Sequence, residues 1–124
     1  MLPNDRVTPF DHLRCEHMLI AAQQAVSFIK GRSRTDLDTD HMLRRAIKDC
    51  IQEIGEAATK ISPACKDAHP DIPWKQIVGM RHILVHVYFD LDNDALWKVV
   101  EKDLPTLIKN LHNTLENWPK PPSP

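Results

Sequence analysis

Four side chains that can take part in chemistry lie within eight positions of the chain: Arg81, His82, His86 and Tyr88. An imidazole titrates near neutral pH, so His82 and His86 could each donate or accept a proton during a reaction. The guanidinium of Arg81 matches the geometry of a phosphate group through two parallel hydrogen bonds. These residue types are therefore suited to proton transfer and to the binding of a phosphate group.

The same residues could also have structural roles. At about 100° per residue, a helix through this segment places Arg81 and Tyr88 on an apolar face. An arginine at such a position costs free energy unless it is paired or functional, whereas a tyrosine there is commonly part of the core. Either histidine could be a surface group or a hydrogen-bonded interface group. The apolar face consists of Trp74, Ile77, Val78 and Val85.

His82 and His86 are also spaced as two metal ligands on adjacent turns of a helix would be. The residues between them are apolar, so the glutamate of an H-E-x-x-H zinc site is missing. The sequence shows no third ligand to accompany the pair. We therefore predict that the protein uses no metal and no other cofactor.

The spacing Arg-x4-His-x-Tyr, filled by Arg81, His86 and Tyr88, resembles the signature of HepT-type HEPN ribonuclease toxins. Further segments are similar to segments of that family and occur in the same order. The chain departs from the family pattern at His82, where asparagine is usual, and at Val87, where glycine is common. The similar segments are Ile54-Gly55-Glu56-Ala57, Pro70-Asp71-Ile72-Pro73-Trp74, His86-x-Tyr88-Phe89-Asp90 and Asp103-Leu104-Pro105.

The resemblance implies an all-α fold, a HEPN-like antiparallel bundle of four main helices that forms a homodimer. It also implies that the protein is the toxin of a type VII toxin–antitoxin system and a metal-independent endoribonuclease. Arg81 and His86 would be the catalytic residues in a cleft at the dimer interface, and His82 would be an auxiliary hydrogen-bond donor. Such cleavage of RNA needs a base for the ribose 2′-OH, an acid for the leaving 5′-oxygen and positive charge near the phosphorane.

A homodimer would supply what a single chain lacks. One histidine cannot easily serve both ends of an in-line displacement, and on a straight helix Arg81 and His86 point about 140° apart. Either the helix loosens near its end, or a second copy of the chain completes the site. The resemblance further implies a nucleotidyltransferase antitoxin of the MntA type, which would silence the toxin by placing AMP on Tyr88.

Two other functions also fit the sequence. In one, the protein is a non-catalytic subunit that presents a substrate or a nucleotide to a nucleotidyltransferase. In the other, it is a purely structural dimerisation bundle, which would leave the grouping of Arg81, His86 and Tyr88 unexplained. The net charge of −1 argues against a protein that coats nucleic acid through a broad basic surface. It is compatible with a nuclease that has a small positive cleft.

The length of 124 residues suits one helical domain, predicted at 1–118, followed by a proline-rich flexible tail at 119–124. Apolar residues recur at helical spacing along the domain. Helices are predicted at about 5–30, from the acidic residues at 36–40 to about 61, at about 73–88, and from 92–94 to 118. A turn is expected at 62–70, and Pro105 is expected to kink the fourth helix.

The three cysteines, Cys15, Cys50 and Cys65, are odd in number and widely spaced, so they indicate neither a disulfide framework nor a zinc cluster. No apolar run approaches the roughly 20 residues needed to cross a bilayer. The start of the chain does not have the pattern of a secretion signal. We therefore predict a protein of the reducing cytoplasm.

Overall fold

A computed structural model describes residues 8–80 and 92–119 of the chain. The elements in these ranges are α1 (Pro9–Phe28), α2 (Asp36–Thr39), α3 (His41–Lys60), α4 (Pro63–Ala68), α5 (residues 74–80), α6 (Asn93–Lys98), a π-helical turn (Val99–Asp103) and α7 (Leu104–Glu116). Both ranges thus consist of helices and their connections, and the predicted all-α, HEPN-like fold is confirmed. The main helical units are α1, α3, α5 and the continuous run from α6 to α7.

The start of α1 is later than the sequence predicts. The helix begins at Pro9, and Thr8 is extended, so the predicted start near residue 5 is wrong. Proline disfavours helical backbone at the residue before it, which favours a helix that starts at Pro9 itself. At the other end, Gly31 has a φ of 73°, a conformation that glycine adopts at little cost, and the predicted stop after α1 is confirmed.

The acidic residues at 36–40 start two helices rather than one. α2 is a single turn, and α3 follows it after Asp40, whose side chain accepts a hydrogen bond from the amide of Leu43 at 3.0 Å. This bond satisfies one of the amides that the first turn of a helix leaves without a partner. The apolar residues that recur at helical spacing in this segment lie on the buried side of α3 and form its apolar stripe, which includes Leu43, Ile47, Cys50, Ile51, Ile54 and Ala58.

The predicted turn at 62–70 is wrong in its first part, because Pro63–Ala68 forms α4. Ser62 caps this helix, since its hydroxyl oxygen accepts a hydrogen bond from the amide of Cys65 at 3.1 Å. Pro63 occupies the first helical position, where its missing N–H is not needed. Six residues are too few to show a helical period, so the serine and proline are the sequence signal for this element.

The predicted disruption of the last helix takes the form of a π-helical turn. Val99–Asp103 is π-helical, and the amide of Leu104 donates to the carbonyl oxygen of Val99. Pro105 follows at once and has no N–H for a helical hydrogen bond. The wider π turn lets α6 continue into α7 at the point where proline breaks the regular pattern.

A single hydrophobic core joins the helices. α1 packs against both α3 and α7, and buried residues of α5 belong to the same core. None of the helices in the described ranges is long and apolar enough to span a membrane. α7 ends at Glu116, and residues 120–124 of the predicted tail lie outside the described residues. The largest fully buried side chains include Met18, Leu37, Ile47, Ile51, Ile54, Ile72, Ile77, Leu96, Leu104 and Leu111.

Candidate functional site

The residues that the sequence predicts to act, Arg81, His82, His86 and Tyr88, lie outside the described residues. The described chain does contain both ends of the segment that carries them. One end is Met80, the last described residue of α5, and the other is Asp92, which precedes α6. Met80 and Asp92 therefore mark where the predicted catalytic segment joins the described helices.

Aromatic contacts hold the start of α5. The indole N–H of Trp74 donates to the carbonyl oxygen of His69 at 3.0 Å. The ring of His69 stacks on Trp118 with centroids 5.4 Å apart, and the edge contact between Trp118 and His12 has a centroid distance of 5.0 Å. These contacts connect the segment before α5 to the chain after α7 and to the first turns of α1.

The described part of the predicted apolar face on α5 is confirmed. Ile77 is fully buried, and Trp74 and Val78 pack half-buried against the core. Met80 is also buried, so α5 is anchored in the core up to the residue that precedes Arg81. The chain therefore enters the predicted catalytic segment from a firmly packed helix.

A small pocket of about 140 Å³ lies between α5 and the chain around the π turn. Gln76 and Met80 line it on one side, and Lys102, Asp103 and Thr106 line it on the other. Pockets that bind drug-sized ligands usually have volumes of about 300–1,000 Å³. This pocket is too small to be such a site by itself, but it places one cation and one carboxylate beside the end of α5.

Hydrogen bonds fix the other end of the segment. Asp92 caps α6, because its carboxylate accepts the amide of Ala95 at 2.8 Å. The side-chain amide of Asn93 donates to Asp38 at 3.1 Å and joins the start of α6 to α2. Hydrogen bonds from Asn93 and from the guanidinium of Arg34 lower the pKa of Asp38 below its ordinary value.

An ionic network around α2, which the sequence analysis missed, supports this end. Arg34 bridges Asp38, at 2.9 Å, and Asp94. Arg32 pairs in the same way with Asp36 and Asp40. The sequence signal is a run of two arginines and then three aspartates at every second position from 32 to 40. These aspartates form ion pairs in addition to starting helices.

No cluster of three or more metal-ligating side chains occurs within residues 8–80 and 92–119. His82 and His86, whose spacing alone would suit two metal ligands, lie outside those ranges. Cys15, Cys50 and Cys65 are all buried and all free. The cysteines therefore contribute to the core and not to a disulfide.

Comparison with known proteins identifies the family. The family model described as "Ribonuclease HepT-like" matches residues 18–113, from the middle of α1 to near the end of α7. A Methanocaldococcus jannaschii protein named "Putative RNase" is 34% identical over 94 residues, 76% of this chain and 86% of its own length. A Caldanaerobacter subterraneus protein, also named "Putative RNase", is 33% identical over 109 residues, 88% of this chain and 96% of its own length.

A third relative is the Thermococcus cleftensis protein named "Probable ribonuclease HepT", which is 39% identical over 72 residues. That match covers 58% of this chain and 66% of the relative. No solved structure matches the chain. The family model extends over most of the described helices, and the two longer relatives cover at least three quarters of the chain. The chain therefore belongs to the HepT-like ribonuclease family.

Proposed function

We propose that the protein is a metal-independent endoribonuclease and the toxin of a type VII toxin–antitoxin system, with Arg81 and His86 as its catalytic residues. The observation that carries the proposal is the family match, which includes the Arg-x4-His-x-Tyr segment within residues 18–113. The burial of Met80 and the hydrogen bond from Asn93 to Asp38 support it, because they tie the chain on both sides of that segment to the helical bundle.

In the proposed reaction, the imidazole of one His86 removes the proton of a ribose 2′-OH. The 2′-oxygen then forms a bond to phosphorus, and the bond from phosphorus to the 5′-oxygen breaks. The protonated imidazole of the second copy's His86 gives its proton to the leaving oxygen. Arg81 stabilises the charge on the phosphorane, and His82 donates an auxiliary hydrogen bond.

A homodimer follows from this chemistry, because each chain supplies one motif histidine and the displacement needs an acid and a base. The nearly neutral net charge of −1 leaves little repulsion between two copies. We place the protein in the cytoplasm, where the three free cysteines would stay reduced.

A nucleotidyltransferase of the MntA type would be the antitoxin. In its reaction the Tyr88 oxygen bonds to the α-phosphorus of ATP, the bond to the β-phosphate bridging oxygen breaks, and pyrophosphate leaves. The Tyr88 proton passes to solvent or to a base of the partner. The AMP that remains on Tyr88 would lie two residues from His86 and would close the site to RNA.

Incubation of the purified chain with total RNA, with and without a chelator of divalent cations, tests the proposed activity. Cleavage that persists with the chelator and is lost in His86→Ala is the expected result. Lys109→Ala is the matched control, because it removes an exposed cation from α7 without touching the motif. If the chain never cleaves RNA but binds a nucleotidyltransferase, it is instead the non-catalytic subunit that presents that enzyme's substrate.

A further inference from the structure

A groove on the outer side of α3 is rich in positive charge. Its volume is about 550 Å³, and its described lining consists of Arg44, Arg45, Lys48, Asp49 and Gln52. Three of these side chains are cationic and one is a carboxylate, so the lining has a net positive charge. This excess contrasts with the whole chain, whose net charge is −1. We call these five residues the α3 groove.

The residues of the α3 groove follow the helix in two rows. Arg44, Lys48 and Gln52 are spaced four residues apart, and Arg45 and Asp49 form the neighbouring row with the same spacing. Four residues of an α-helix span about 6 Å along its axis. Successive phosphates of an extended nucleic-acid strand are separated by a similar distance. A strand that runs along α3 can therefore place adjacent phosphates beside Arg44 and Lys48.

These charges are not arranged for the stability of α3. Arg44 and Lys48 are like charges four residues apart, which destabilises a helix. Arg45 precedes Asp49, and a cation before an acid is the less favourable order of such a pair. Arg45 is exposed and the other two cations are half exposed, so the packing of the core does not account for them. An anionic ligand would relieve the repulsion between the cations.

The α3 groove lies near the place where the predicted catalytic segment joins α6. α2 packs against both α3 and α6, and Asp38 of α2 accepts a hydrogen bond from Asn93, the first residue of α6, at 3.1 Å. Hydrogen bonds from Asn93 and Arg34 are the main causes that lower the pKa of Asp38, and the nearby charge of Arg44 lowers it further. Arg44 is therefore close to the chain that follows Asp92.

The aspartates at 36–40, which lie beside the start of α3, form ion pairs with arginines outside the groove. Arg32 pairs with two of them and Arg34 pairs with the third. The charge of these carboxylates is thus balanced in part within their own segment. An anion in the α3 groove is attracted by three cations and is repelled most directly by Asp49. A cleft lined mainly by one sign of charge concentrates ligands of the opposite sign.

We propose that the α3 groove binds backbone phosphates of the RNA strand on one side of the phosphodiester bond that is cleaved. Arg44 and Arg45 offer guanidinium groups that bind phosphate through paired hydrogen bonds, and Lys48 adds a compact charge. Contacts of this kind position a strand and do not read its sequence. The regular spacing of the cations favours RNA phosphates over the acidic surface of a protein. The inference rests on the proposed function, because it concerns the RNA of that reaction.

Fluorescence anisotropy with a labelled single-stranded RNA oligonucleotide tests the α3 groove. Methylation of its 2′-oxygens keeps the phosphates but removes the nucleophile of the proposed reaction, so that binding is measured on an intact strand. The double variant Arg45→Gln, Lys48→Gln should raise the Kd roughly tenfold. It should also lower the magnitude of the slope of log affinity against log salt by about 1.4, because each phosphate contact contributes about 0.7. The control Lys30→Gln, Lys109→Gln removes the same charge at exposed positions outside the groove and should change neither quantity.

Asp49→Asn tests the sign of the effect. It removes the carboxylate that repels phosphate and should lower the Kd roughly threefold, whereas a change that only loosened α3 would raise it. Circular dichroism should show unchanged helicity in every variant, because the substituted side chains lie outside the core.

Three results would overturn the inference. They are an unaltered chain that does not bind the RNA, a groove double variant that binds it as tightly as the lysine control, and Asp49→Asn with weaker binding. A groove variant that loses only the binding of a nucleotidyltransferase would make the groove a protein interface instead. Groove-dependent binding without cleavage of ordinary RNA would support the groove and contradict the proposed ribonuclease activity, so the two failures are distinguishable.

Discussion

Asp11 of α1 accepts two hydrogen bonds from Ser62, one from its amide at 2.8 Å and one from its hydroxyl at 2.7 Å. The carboxylate also accepts the amide of Thr8 at 2.7 Å. Burial by itself would raise the pKa of Asp11, but the hydrogen bonds from Ser62 and Thr8 outweigh it and lower the pKa below its ordinary value. One buried carboxylate thus joins the starts of α1 and α4 across 51 positions of sequence.

Replacement of this carboxylate should destabilise the fold. In Asp11→Asn, an NH2 group replaces one of the two carboxylate oxygens. This NH2 group cannot accept the hydrogen bonds that Ser62 and Thr8 donate. We expect the free energy of unfolding in urea to fall by about 1–3 kcal/mol. Asp67→Asn, an exposed change on α4, is the control and should alter it by less than about 0.5 kcal/mol. Equal effects of the two substitutions would contradict the proposed importance of the Asp11 hydrogen bonds.

The same hydrogen bonds predict how the stability depends on pH. The folded-state pKa of Asp11 lies below the unfolded-state value of about 3.9, so folding favours the charged form. This stabilisation is fully present above the unfolded-state pKa and is lost as the pH falls through the folded-state pKa. The difference in unfolding free energy between the unaltered chain and Asp11→Asn should be constant from about pH 7 to 5 and should shrink below about pH 4. If this difference in unfolding free energy grew as the pH fell, the prediction would be contradicted.

The thiols should be unreactive in the folded protein. Cys15, Cys50 and Cys65 are buried, and burial raises the pKa of Cys50 to about 11. Ellman's reagent at pH 8 should therefore detect no fast thiol in the native chain and three thiols after denaturation. Met42→Cys, which places a thiol at a side chain that is 85% exposed, should add one fast thiol. A fast thiol in the unaltered native chain would show that the core opens readily.

The sequence predicts the long elements of this fold better than the short ones. The stripe of α3 extends over several turns, so its period identifies both the helix and its buried side. α4 and the π turn before Pro105 are too short for a period, and their form depends on a cap at Ser62 and on a missing amide at Pro105. The network of Arg34 with Asp38 and Asp94 depends on two elements meeting in space, which local patterns do not reveal.

The prediction of the candidate site does not depend on helical periodicity, as the prediction of the fold does. The roles of Arg81, His86 and Tyr88 rest on the resemblance of their spacing to the family signature, and those assignments stay predictions. The described chain adds the positions of the two ends, one in the core at Met80 and one capped at Asp92. The cap at Asp92 is local, and the sequence predicts a helix start there, whereas the burial of Met80 depends on core residues that are distant in sequence.

The proposed catalytic roles predict how substitutions of Arg81, His86 and His82 change the rate of RNA cleavage. Arg81→Ala and His86→Ala should each lower the rate of RNA cleavage by about 100-fold or more, because each removes either phosphorane stabilisation or proton transfer. His82→Asn places the usual family residue beside Arg81 and should keep most of the activity. Circular dichroism should show unchanged helicity in all three variants. If His82→Ala inactivates the enzyme and His86→Ala does not, the wrong imidazole has been assigned.

The last prediction concerns silencing through Tyr88. A nucleotidyltransferase partner with ATP and magnesium should add one or more AMP groups, each of which introduces about one negative charge beside the groups proposed to bind RNA phosphate. The modified chain should lose cleavage both by charge repulsion and by the bulk of the nucleotide. Tyr88→Phe keeps the ring but lacks the acceptor oxygen, so it should cleave RNA and remain active with the partner present. Measurement of the intact mass after incubation detects the added AMP directly. An AMP-sized increase in Tyr88→Phe, or no increase in the unaltered chain with a partner shown to be active on another substrate, would exclude this mechanism.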